Sequence, residues 1–119
     1  MNTKINLVYN GEKYVLEYNR MAVKILEQNG FMLDEFLKKP MTNIELAFSG
    51  AFIKNHSKIG QEKIDKIYDS CKDKAKLVAT LQKMIQETYE SLLSDKPSDG
   101  DEGNTSWEVE DLSPKTSQK

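Results

Sequence analysis

Between Lys13 and Phe31 the hydrophobic period of the chain changes, from an alternation of two to a period near 3.6, with Asn19 at the junction and Gly30 at the end. That change fixes most of what the chain can become. Upstream, Ile5, Leu7 and Tyr9 alternate with more polar residues, Asn10-Gly11 supplies a pair that tolerates positive φ, and Tyr14, Leu16 and Tyr18 resume the alternation. The spacing predicts a β-hairpin over residues 4–18, with Tyr9 opposite Glu12, Leu7 opposite Tyr14 and Ile5 opposite Leu16. Its apolar face requires a cover, because an isolated two-stranded hairpin is marginal in water.

The cover must come from downstream. Asn19 is a good N-cap for a helix carrying Met21, Ala22, Ile25 and Leu26 on one side, and Gly30 can close it in a left-handed conformation. Leu33, Phe36 and Leu37 recur at one-turn spacing until Pro40 stops that piece. Thr42 and Glu45 have the spacing of a capping box, so a helix is expected from Asn43. Its main stripe is Ile44, Ala47, Phe48, Ala51 and Phe52, while Leu46 and Ile53 fall on the opposite side. Apolar residues on two faces place such a helix centrally or leave one face for a partner. Gly50 lowers helix stability by about 1 kcal/mol relative to Ala, a cost best explained by close approach of a neighbour.

A further helix from about Gly60 carries Ile64, Ile67, Tyr68 and Cys71, Lys72-Asp73-Lys74 forms a joint, and the longest helix runs from Lys74 to Leu93. The fold class is therefore α+β, mainly α: a hairpin packed on a bundle of about four to five helices lying within residues 20–93. Residues 1–94 form one globular domain. Beyond Ser94 the composition turns to Ser, Asp, Gly, Pro and Lys, and residues 95–119 are expected to be a disordered acidic tail. Seven acids against three lysines give the tail a charge of −4, which leaves +2 on the body of a chain whose net charge is −2. Within it Trp107, Val109 and Leu112 stand among acids, either as a linear motif that folds onto a partner or as a segment that packs Trp107 back on its own domain.

Several function classes fall away. The lone Cys71 has no internal disulfide partner and reads as a small core residue of a cytoplasmic protein. His56, the single histidine, reads as a surface loop residue without a metal or a catalytic partner. No apolar run reaches the roughly 20 residues of a membrane span, and the N-terminus lacks a signal peptide's pattern. Lys54, Lys58, Lys63 and Lys66 could be phosphate contacts of a small DNA-binding regulator, but Glu62, Asp65 and Asp69 interleave them as on a solvated helix face. There is no phosphate loop and no nucleophile with a base. The reading is non-enzymatic, with no cofactor, no nucleic acid and no membrane.

The order of segments carries more. The hairpin KINLVYNGEKYVLEYNR, the turn EQNGF, the segment TNIELAFSGAFIKNH, the IDKIYD helix, the amphipathic LVATLQKMIQETYESLLSD and the terminal EGNTSWE together resemble the tail assembly chaperones of long-tailed phages and prophages of Gram-positive bacteria. The tail departs from that pattern by running on for DLSPKTSQK. The resemblance implies a non-catalytic factor of the host cytoplasm, absent from the mature virion, that coats the tape measure protein and recruits tail tube subunits. A structural tail or head-tail joining protein is the alternative. The client surface implied is the two-faced helix, through Leu46, Ile53, Phe48 and Phe52, and the tail motif, through Trp107, Val109 and Leu112. The free hairpin edge and the doubly apolar helix also favour a homo-oligomer.

Overall fold

A computed structural model describes residues 3–94 and 106–110. Strands β1 (Ile5–Tyr9) and β2 (Glu12–Leu16) pair antiparallel with Tyr9 opposite Glu12, Leu7 opposite Tyr14 and Ile5 opposite Leu16. The Asn10-Gly11 turn sets this register, since both residues adopt positive φ as a tight hairpin turn of this hand requires. Four α-helices follow: α1 (Arg20–Gln28), α2 (Pro40–Gly50), α3 (Gln61–Ser70) and α4 (Lys74–Leu92). A single 3₁₀ turn at Leu33–Glu35 links the first two. The architecture is α+β and mainly α.

Local chemistry accounts for most boundaries. The Asn19 side chain accepts a hydrogen bond from the Ala22 amide at 2.8 Å, capping α1, and Gly30 continues the chain at φ +96°. Asp73 takes a left-handed conformation at the α3–α4 joint and caps α4 by accepting from the Lys76 amide. Helix α2 starts earlier than the capping-box spacing indicates. Pro40 sits in its first turn, where the missing amide hydrogen costs nothing and the fixed φ favours helix, so Pro40 opens this element instead of ending the one before. Thr42 and Glu45 then lie inside the helix, and Asn43 is buried with its side-chain amide donating to the Glu35 carbonyl at 3.0 Å. The regular helix stops at Gly50. Residues 51–55 continue as turns, with the Phe52 and Ile53 amides reaching back three residues to Ser49 and Gly50.

The core joins one face of the hairpin to all four helices. Tyr14, Leu16 and Tyr18 lie against Leu26, Phe48, Phe52, Ile67, Leu81 and Ile85. The longest helix, α4, packs on α1, α2 and the 3₁₀ turn. Phe31 and Phe36 meet edge to face at 5.8 Å, which brings the irregular segment between α1 and α2 into the same core although only three of its residues are helical. The buried Tyr18 hydroxyl donates to the Ala47 carbonyl, and burial pushes its proton affinity well above that of an ordinary phenol. Tyr18→Phe should lower stability by about 1–3 kcal/mol by leaving that carbonyl unpaired. Thermal melts of the two proteins check this, and equal melting temperatures would contradict it.

Candidate protein-binding surface

A groove of about 330 Å³ runs between α1, α2 and the start of α3. Its floor is Leu26, Phe52 and Ile64, all buried, and its walls are the half-buried Ile25, Leu46, Ile53 and Ile59. Gly50 lies against Leu26 where α1 and α2 meet, and a Cβ at that position would stand 2.5 Å from Cδ2 of Leu26, so any other residue there requires the Leu26 side chain to shift. The polar members sit along the rim, where the Ser49 hydroxyl and the Gln61 amide hydrogen-bond each other and Gln61 donates to Asp65 at 2.9 Å.

His56 closes one end, in a role that the sequence did not indicate. The Val15 amide donates to His56 Nε2 at 3.0 Å, and the ring meets Tyr14 edge to face at 5.0 Å. Asn55 donates to the Val15 carbonyl at 3.1 Å, and the Glu17 amide donates to the Ala51 carbonyl. The turns after α2 therefore cover the outer edge of β2 at Val15. His56 is a structural tie, not a loose surface residue. Two of the four lysines considered as phosphate contacts are paired with hairpin acids: Lys54 with Glu17 at 2.9 Å and Lys63 with Glu12 at 3.0 Å. Those pairs hold both carboxyls below the usual range, that of Glu12 chiefly through the Tyr14 hydroxyl with Lys63 second, and that of Glu17 chiefly through Lys54. Cys71 is half-buried at the end of α3, where burial pushes its thiol up.

The expected client residues separate into three groups. Phe48 and Phe52 are 2% and 1% exposed, and their rings stack edge to face at 5.2 Å with Tyr68 and Tyr14 beside them. They are core, and only Phe52 reaches the groove, at its floor. Leu46 and Ile53, expected on the face opposite the main stripe, are half-buried, and both are groove walls, Leu46 within α2 and Ile53 in the turns after Gly50. Trp107 and Val109 are exposed in a segment without regular secondary structure. Leu112 lies outside the described residues. Among the described residues no group of three His, Cys, Asp or Glu side chains could hold a metal ion. No helix there is long and apolar enough to cross a membrane.

The model of one family, DUF5055, a domain of unknown function, matches residues 1–111. The chain belongs to the DUF5055 family. That match takes in the hairpin, all four helices and the exposed Trp107 segment, so the DUF5055 region extends past the helical body into the acidic tail. No curated protein and no solved structure matches the chain.

Proposed function

We propose that this DUF5055 protein is a non-catalytic phage tail assembly chaperone that binds the tape measure protein in the host cytoplasm and recruits tail tube subunits. The observation that carries the reading is the groove between α1, α2 and α3, where four half-buried aliphatic side chains surround an apolar floor. A groove of this composition suits the apolar face of an amphipathic helix, read through anchors one turn apart. A tape measure protein is a long, mostly helical client that offers such faces repeatedly. The order of segments from the hairpin to EGNTSWE supplies the second support, by its resemblance to these chaperones.

The reading is tested by co-expression with the tape measure protein encoded in the same phage or prophage, followed by pull-down. Retention of the client and a gain in its solubility are expected, and neither would occur if the protein were a regulator of DNA. Mass spectrometry of purified virions should fail to detect the chain, whereas a structural tail protein would be present in them. Replacing Leu46 and Ile53 together by serine should weaken client retention at least tenfold. Because both side chains also pack partly on the core, a stability loss of about 1–3 kcal/mol should accompany it. Unchanged retention would remove the groove from the account.

A further inference from the structure

The outer edge of β2 is satisfied at Val15, and that of β1 is open. In the observed register Ile5, Leu7 and Tyr9 face their β2 partners in hydrogen-bonded pairs, so the backbone groups of Asn6 and Val8 point away from β2. The corresponding residue on the other strand, Val15, is covered by His56 and Asn55. Asn6 and Val8 have no such cover among the described residues. The side chains follow the same division. On the core-facing side Tyr14 and Leu16 of β2 are buried, whereas Ile5, Leu7 and Tyr9 of β1 stay half-buried. On the outer side Val8 is 67% exposed with Lys13 opposite it on β2, Lys4 stands just before β1 with its ammonium 3.9 Å from Glu17, and β1 holds no acid.

A segment of matching chemistry exists in the chain itself. Residues 106–110 carry no regular secondary structure, and Trp107 and Val109 alternate with Glu108 and Glu110. Trp107 is 81% and Val109 77% exposed, so within one chain the segment and the open edge are unpartnered together. We infer that the segment around Trp107 and Val109 of a second copy adds to β1 as a third strand, and that two copies exchange these segments reciprocally. In an antiparallel register the alternation then places Trp107 beside Leu7 and Val109 beside Ile5, with Glu108 beside Asn6 and Glu110 beside Lys4 on the other face. A two-fold exchange satisfies both open edges with one interaction used twice. This inference is independent of the client groove, which lies on the far side of β2.

Trp107 is the single tryptophan, so its emission reports the exchange directly. Sedimentation equilibrium of the full chain over a dilution series should show a monomer–dimer equilibrium in the micromolar range, with Trp107 emission moving to shorter wavelength as the dimer forms. Trp107→Asp combined with Val109→Asp changes exposed residues of the tail and should give a monomer with an unaltered melt. Val8→Glu attacks the other partner: its carboxylate faces Lys13 across the hairpin and supports the fold while repelling Glu108. It too should be monomeric. A wild-type chain that stays monomeric, a dimer that persists in either variant, or a short-wavelength emission independent of concentration, which would place the segment on its own chain, would overturn the inference.

Discussion

Replacing Phe52 by alanine is expected to destabilise the protein by about 3–5 kcal/mol, a large part of the roughly 5–15 kcal/mol that holds a domain together. The ring is 1% exposed and stands between Phe48 at 5.2 Å and Tyr14 at 5.9 Å, so its removal opens a cavity where the hairpin meets α2. The groove loses its floor at the same position. Chemical denaturation should show a lower midpoint, and near-ultraviolet dichroism should lose its aromatic signal if the remaining fold is no longer unique. A variant of wild-type stability that merely fails to bind a partner would mean that Phe52 belongs to an interface and not to the core.

Gly50→Val should also be costly, by about 1–3 kcal/mol, for the opposite reason. Any Cβ at Gly50 meets Leu26 Cδ2 at 2.5 Å and Cγ at 2.9 Å, and a branched side chain adds a second methyl group against the same wall. Valine gains a few tenths of a kcal/mol over glycine in helix propensity, too little to offset overpacking between two helices. The displaced Leu26 would enter the groove, so client binding should fall together with the melting temperature. Gly50→Ala gives the finer reading, because a propensity gain of about 1 kcal/mol opposes the smallest possible clash. An alanine variant more stable than the wild type would show that Leu26 moves aside freely.

These two positions also show what the sequence could and could not disclose. Gly50 was legible as a close approach because a glycine inside an apolar helical stripe requires a neighbour, although the sequence does not say that the neighbour is Leu26. The hairpin register, the Asn19 cap and the Gly30 stop were legible because each rests on local backbone chemistry: positive φ at Asn10-Gly11, an amide to cap, a left-handed residue to end on. The start of α2 was misread because two valid local signals competed, and Pro40 in the first turn prevailed over the Thr42–Glu45 spacing. Periodicity put Leu46 and Ile53 together on a second face of the helix, and both line the groove, but it did not show that the regular helix ends at Gly50 with turns over residues 51–55. Phe48 and Phe52 were placed on the main stripe of the helix, and whether that stripe meets the core or a partner depends on the other elements, which periodicity does not contain. His56 was missed because its partner, the Val15 amide, lies 41 residues away and no pattern links the two.

The proposed chaperone function places an amphipathic client helix in the groove between α1, α2 and α3. Hydrogen exchange of the protein alone and with the tape measure protein of the same phage tests it most directly. Exchange should slow in α1 around Ile25 and from Leu46 through Ile59, with α3 protected at Ile64 and the outer edge of β1 unchanged by the client. Protection confined to β1 or to the Trp107 segment, or no protection at saturating client, would contradict it.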